Sequence, residues 1–334
     1  MNKLLTIVVP VYNTEKYLNK CLSSLVAERY MDLLEILVII DGSPDDSISI
    51  ARKYEDKYPS TFIVIEKENG GHGSCCNIGL KRAQGKYIRF LDSDDWFDED
   101  DYVPYLELLT RVDADLIQTN LVRDYLSTGK SVKSDLYRQL SGRLIDAAEF
   151  DFTQFKYFLT IHNSTFKTEV LRKSGIVFTE KAPYDDTVLY LKPLAYIQTL
   201  YCSDLCVYHY LLDRPGQSVG SYNDKKVSAQ FNEFKKLCDD YSLIRDTEMS
   251  DNKLKYADKF VNEVIIDGFY GLLFYSPSKA ARNYLKQWYE YEEKLPFVLK
   301  KFPSWHKIYH IFGYDIARLI YRLHLLLKRV LVSL

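Results

Sequence analysis

Four apolar, largely β-branched runs recur within the first ninety residues, each followed by a stretch with helical spacing. Leu4-Leu5-Thr6-Ile7-Val8-Val9, Glu35-Ile36-Leu37-Val38-Ile39-Ile40, Phe62-Ile63-Val64-Ile65 and Tyr87-Ile88-Arg89-Phe90 lack the alternation of strands with one wet face. Such runs, separated by helices, form a parallel sheet covered on both sides. Thr14 precedes a helix whose apolar face carries Tyr17, Leu18, Cys21, Leu22 and Leu25. Asp45-Asp46-Ser47 opens a second helix, and a third is predicted from about Cys75 to Ala83. Pro10 is expected to close the first strand. This alternation predicts a Rossmann-like α/β architecture with a mostly parallel central sheet.

Beyond residue 100 the pattern loosens. Ala114 to Thr119 reads as a strand, Thr165 to Ser174 as a helix, and Thr199 to Tyr210 as strand-rich. Residues 123–145 are polar and mixed, a hairpin or a loop. From about Lys225 onward Tyr, Phe and Leu recur at three and four residues, predicting a helical C-terminal extension. A boundary is expected near 220, after Pro215-Gly216-Gln217-Ser218, which gives units 1–220 and 221–334.

Composition narrows the class. With 47% hydrophobic and 27% charged residues, the 334-residue chain reads as globular. A net charge of −2 creates no field that would draw nucleic acid. The charge is uneven, because Lys279 to Arg329 holds eleven Lys and Arg against four Asp and Glu. The six cysteines, at 21, 75, 76, 202, 206 and 238, show no paired spacing of a zinc site. The N-terminal apolar run is too short for a signal peptide, and no stretch is long enough to span a membrane. The expected location is the reducing cytoplasm, with free thiols.

Four predicted strand ends deliver polar residues to one edge: Tyr12-Asn13, Asp41-Gly42-Ser43, Asn69-Gly70-Gly71 and Asp92-Ser93-Asp94. Ligand sites of open α/β sheets lie outside those carboxyl ends. Closely spaced carboxylates can hold a divalent cation against a diphosphate. Against this, Asp92 to Asp101 holds seven acids in ten residues, which a solvated turn also explains. The glycines fit neither a dinucleotide fingerprint nor a Walker loop.

Val9-Pro10-Val11-Tyr12-Asn13 with Glu15, then Asp41-Gly42-Ser43, Asn69-Gly70-Gly71, Asn77-x-Gly79 and Asp92-Ser93-Asp94-Asp95, resemble the family 2 glycosyltransferases of the GT-A fold. The likeness is strong over about 1–120 and weaker to about 220. It implies hexosyl transfer from a nucleotide diphosphate donor, a UDP-sugar by first choice, with inversion and with Mn²⁺ or Mg²⁺. Residues 1–120 would be the nucleotide-sugar half and 121–220 the acceptor half. Carried across by position, Pro10, Val11, Tyr12, Asn13 and Asp41 would line the base pocket. Asn69, Gly70 and Asn77 would lie along the nucleotide. Asp92 and Ser93 would reach the ribose or sugar, and Asp94, with Asp92, the metal. The family's base motif corresponds to Tyr184-Asp185-Asp186-Thr187, with Asp186 as general base and Asp185 in place of the usual Glu. A helix N-cap with a first-turn acid fits those residues as well.

The resemblance is incomplete. Ile40 stands where many members carry an acid, Cys76 where an Arg is common, and His72 where an apolar residue is frequent. His162 and His209 are further candidates at the cleft, although a lone histidine among aromatics is more often a packed residue. Arg214 and Ser218 stand where a closing loop could meet phosphate. Trp96 could stack on a sugar ring or anchor a turn. The acceptor implied is a glycan, a glycoprotein or a lipid-linked sugar. The stretch Ile316 to Leu331 has a broad apolar face with basic flanks, suited to a subunit interface, to internal packing, or to peripheral contact with the inner face of a membrane. Two other readings stay open: a non-catalytic nucleotide-sugar binder, and a nucleotidyltransferase, for which no basic glycine-rich loop follows the first strand.

Overall fold

A computed structural model describes residues 3–155, 159–182, 185–215, 224–247, 249–261, 281–292, 294, 311, 313–316, 319–320 and 323. The first half alternates as its apolar runs require. Strand β1 (Leu5–Val11) leads to α1 (Glu15–Ser24), β2 (Leu34–Asp41) to α2 (Ser47–Lys57), β3 (Phe62–Lys67) to α3 (His72–Arg82), and β4 (Tyr87–Phe90) to the acid cluster. After it come β5 (Trp96–Phe97), α4 (Tyr102–Arg111), β6 (Leu116–Tyr125), β7 (Lys130–Lys133), β8 (Leu144–Asp146), β9 (Ser164–Lys167), α5 (Thr168–Lys173) and β10 (Thr199–Leu212). These strands form one mixed sheet in the order β3-β2-β1-β4-β9-β6-β10-β5, with β7 on β6 and β8 on β10. Pairings among β1 to β4 and between β6 and β10 are parallel, whereas β9 joins the two groups antiparallel to both neighbours.

Both faces of β1 are covered, so every one of its residues is buried. Leu5, Ile7, Val9 and Val11 pack in one core with Leu18, Cys21 and Leu22 of α1. On the opposite face Val8 meets α3 at Gly79, where an added Cβ would lie 2.4 Å from a Val8 methyl. Fully burying each such aliphatic side chain stabilises the fold by roughly 1.5–3 kcal/mol.

Three expectations need correction. The first strand runs through Pro10, which pairs with Ile39. Leu4 and Val8 give their carbonyls to the β4 side, so Pro10, of the same parity, turns its imide nitrogen to that side, where the ladder has already ended at Val8–Phe90. No ladder bond is lost there. The third helix begins at His72, not near Cys75. The stretch from 165 is first a strand, β9, and only then the short helix α5.

The chain divides into two compact units, one of residues 1–181 and 185–217, the other of 182–184 and 218–334. In the second unit the described helices are α6 (Asp224–Arg245), α7 (Asp251–Phe260) and α8 (Ala281–Glu292). Phe231 of α6 meets Tyr284 of α8 at 5.1 Å between ring centroids. Tyr291 donates to Asp239 at 2.7 Å. No helix among the described residues is long and apolar enough to cross a membrane. Most of the basic stretch 316–331 lies outside the described residues, as does Ser218.

Candidate active site

The order β2-β1-β4 makes the gap between β1 and β4 the topological switch point, and the crevice beyond their carboxyl ends is where such sheets take ligands. Tyr12 leaves β1 with 52% of its surface exposed. Asn13 follows at φ 55°, a left-handed conformation Asn tolerates better than most residues, and its N–H donates to Ser43 Oγ at 2.8 Å. Ser93 in turn accepts from the Thr14 hydroxyl at 2.9 Å. Hydrogen bonds thus lock together the loops after β1, β2 and β4.

Asp41 orders the glycine-rich loop. Its carboxylate accepts the N–H groups of Gly70 and Gly71, both at 2.8 Å, and pairs with Lys67. The Asn69 amide donates to the Asp41 carbonyl at 2.9 Å. With 2% of its surface exposed, Asp41 spends its charge on the protein's own backbone. Asn77, expected along the nucleotide, is likewise committed: both ends of its amide bond the backbone of Phe178 at 2.9 Å.

Asp92 is the hub of the acid cluster. One oxygen lies 3.2 Å from His72 Nε2, the other 3.7 Å from His162 Nε2. Burial alone would raise this carboxyl, but the two histidines outweigh it and hold Asp92 well below the usual carboxylate range. Burial also opposes a charged His72, yet Cys76, Asp185 and Asp92 keep its imidazole well above its ordinary value. Asp94 forms an ion pair with Arg214, so a guanidinium already stands where a cation was expected. Burial and the Asp92 charge push Asp94 up, against the pull of Arg214.

Asp95 is 1% exposed and accepts from Tyr208 Oη at 2.6 Å and Leu211 N at 2.7 Å. Tyr208 also takes the Asp92 N–H at 3.2 Å, and Tyr210 lies 4.3 Å from the His162 ring. Successive strand residues face opposite sides. His209 therefore points away, with its two ring nitrogens on Asp124 at 2.7 Å and Asp98 at 2.8 Å. Trp96 stacks on His209 at 5.0 Å, and Lys20 covers the indole. These contacts make Trp96 and His209 a packed pair outside the acid cluster.

Asp185 and Asp186 open a 3-10 turn, Asp185–Tyr190, rather than an α-helix. Asp185 is buried and meets His72 Nδ1 at 2.9 Å. Asp186 is partly open to solvent; burial of its carboxyl, and then the charge of Asp185, push it up to about 6. Arg89, fully buried, is a residue whose importance the sequence conceals. It donates to Thr165, Thr119 and the His162 carbonyl, at 3.2, 3.1 and 2.8 Å. Read alone, Tyr87-Ile88-Arg89-Phe90 gives no sign that its cation faces inward.

Asp92, Asp95 and His162 offer three donor atoms that lie within 4.8 Å of one another. Two carboxylates and an imidazole are ligand types that a divalent cation accepts, so this end of the sheet fits one. The group shares Asp92 with the expected ligands and has Asp95 and His162 where Asp94 was expected. A separate shallow cavity of about 370 Å³, lined by Asn77, Leu80, Lys81, Leu171, Arg172, Ile176 and Val177, contains none of the acids.

The model of the family "Glycosyl transferase family 2" matches residues 6–175, just over half the chain. The chain belongs to glycosyl transferase family 2. Among relatives of this family 2 chain, the putative glycosyltransferase EpsH of Bacillus subtilis is 40% identical over 134 residues, which is 39% of this chain and 37% of that protein. The poly(ribitol-phosphate) β-N-acetylglucosaminyltransferase TarS of Staphylococcus aureus is 25% identical over 220 residues, 65% of this chain and 37% of TarS. The chain thus spans well under half the length of either relative. The crystal structure of TarS 1–349 with UDP-GlcNAc matches with a TM-score of 0.73 at 18% identity, covering 96% of this chain and 90% of that one. The mannosyltransferase PcManGT of Pyrobaculum calidifontis, with GDP-Man and Mn²⁺, matches with a TM-score of 0.52 at 15% identity over 97% and 88% of the two chains. These likenesses establish the GT-A-like fold of the family 2 chain.

Proposed function

We propose that this chain moves a sugar from a nucleotide diphosphate donor, with a UDP-sugar the first choice, to a glycan, glycoprotein or lipid-linked acceptor by metal-assisted inverting displacement. The observation that carries the reading is the convergence of His72, His162 and Asp92 at the sheet's switch point, beside Asp94 and Asp186. Matches to TarS with UDP-GlcNAc and to PcManGT with GDP-Man support a nucleotide-sugar donor.

The exposed ring of Tyr12, after Pro10 and Val11, offers a flat face to a nucleobase. Asp41 keeps the backbone of Gly70 and Gly71 in the shape that borders the crevice. Asp92 and His162, joined by Asp94 once Arg214 has left it, would hold a divalent cation that neutralises the departing nucleotide diphosphate. Asp186 takes the proton of the acceptor hydroxyl onto a carboxylate oxygen. A carboxyl near 6 is ionised at neutral pH and basic enough to assist. Arg214, freed from Asp94, would meet the negative charge of the diphosphate.

The test is donor hydrolysis and sugar transfer with Mn²⁺, measured for wild type, Asp94→Ala and Asp186→Ala. Loss of metal-dependent turnover in Asp94→Ala is expected, together with intact donor binding and lost transfer in Asp186→Ala. Equal rates in all three proteins would refute the mechanism. Donor binding without turnover by wild type would favour the non-catalytic binder, for which the pairing of Asp94 with Arg214 is the supporting observation.

A further inference from the structure

We propose that His72, Cys76 and Asp185 form a second cation site, selective for a thiophilic divalent ion such as Zn²⁺ and distinct from the oxygen-rich site at Asp92. His72 and Cys76 stand four residues apart at the start of α3, so their side chains share one face of the helix. Asp185 reaches that face from its 3-10 turn. Gly73 leaves the space: a Cβ there would lie 2.9 Å from Asp185 Oδ2 and 2.3 Å from the Thr179 carbonyl.

Small shifts would bring the donors onto one ion. Asp185 Oδ2 lies 2.9 Å from His72 Nδ1, Cys76 Sγ lies 3.7 Å from both ring nitrogens, and the three donors fall within 4.8 Å of one another. Donor atoms on a tetrahedral zinc ion are roughly 3.3–3.6 Å apart, given Zn–S and Zn–N bonds of about 2.3 and 2.0 Å. Sulfur, imidazole and one carboxylate prefer Zn²⁺ or Co²⁺ to Mg²⁺. A second observation points the same way. A metal-bound histidine ordinarily hands its other ring N–H to a carboxylate, and His72 Nε2 faces Asp92 Oδ1 at 3.2 Å. Cys76 is fully buried, and its hydrogen-bonding contacts among the described residues are with His72. On coordination the thiol proton and the proton on His72 Nδ1 both pass to buffer, while Nε2 keeps its own toward Asp92. The cysteine spacing conceals this site, because two of its three ligands are not cysteines.

Occupancy would hold His72 and Asp185 rigidly beside Asp92, so Zn²⁺ is expected to inhibit sugar transfer in the presence of saturating Mg²⁺. Binding itself is tested without donor or turnover, and therefore stands or falls separately from the transfer reading. The full chain is titrated with Co²⁺ under excess Mg²⁺. A sulfur-to-cobalt charge-transfer band in the near ultraviolet should grow to one ion per chain and be bleached by Zn²⁺. It should vanish in Cys76→Ser, persist in Cys75→Ser, and need at least about tenfold more Co²⁺ in Asp185→Asn. X-ray absorption of the zinc-loaded wild type, which needs no substitution, should show one sulfur scatterer at about 2.3 Å. A band that survives Cys76→Ser, a band lost in Cys75→Ser, or a zinc shell of oxygen and nitrogen alone overturns the proposal.

Discussion

Asp186 owes its assigned role to where its protons leave. Burial, reinforced by the Asp185 charge, pushes its carboxyl up to about 6, so the ionised form dominates at neutral pH and disappears as the pH falls below that value. A base works only when deprotonated. Transfer should therefore rise with pH through about 6 and level off above it. Asp186→Asn should lower the plateau by roughly a hundred- to ten-thousand-fold and abolish the slope. A pH–rate profile of transfer checks both; an unchanged slope in the variant would assign the titration to another group. Tyr208 is the second residue to test. Tyr208→Phe deletes the hydroxyl shared by Asp95 and the Asp92 N–H, leaving a buried carboxyl oxygen short of its donor. A loss of about 1–3 kcal/mol in urea unfolding is expected. The sequence offers His209 either to the cleft or to packing, and its contacts with Asp124, Asp98 and Trp96 match the packed reading. A period of two says that 208 and 210 share a side and 209 does not, but only the fold reveals which side meets the acids.

Strands and helices were more legible than the residues between them. The runs of β1, β2 and β4 are buried on both faces, so their hydrophobicity is continuous and easily recognised, whereas the edge strand β3 is only half-buried on one face. The stretch 165–174 reads as a single helix because β9 has only four residues, Ser-Thr-Phe-Lys, and passes straight into α5 with no turn residue between. Its strand character comes from β4 and β6, which it joins, and no local pattern records that pairing. The same dependence on neighbours makes the contact between α3 and β1 testable. An alanine Cβ at position 79 would lie 2.4 and 2.5 Å from the two Val8 methyls, closer than packing allows. Gly79→Ala should cost about 1–3 kcal/mol. Combining it with Val8→Ala makes room, so the double variant should be more stable than the sum of the two losses predicts. Urea denaturation of the four proteins measures that coupling, and strict additivity would mean that the helix had moved away instead.

At the scale of the whole molecule, every residue that the proposed mechanism gives to donor, cation or base lies in the unit made of 1–181 and 185–217, and the candidate Ser218 falls in the other. The expected boundary near 220 came from a loop and a change of period, whereas this division comes from packing. The basic excess between Lys279 and Arg329 lies wholly in the other unit. If the second unit serves acceptor capture or attachment, a fragment of residues 1–217 should unfold in a single cooperative step and bind UDP-sugar with Mn²⁺ as the full chain does. It should also retain the charge-transfer band of His72, Cys76 and Asp185, while losing transfer to a natural acceptor. Calorimetric titration with donor and a urea melt decide the matter. A fragment that folds yet cannot bind donor would show that residues beyond 217 complete the pocket. Donor recognition would then belong to the whole chain, and the crevice between β1 and β4 would supply only part of it.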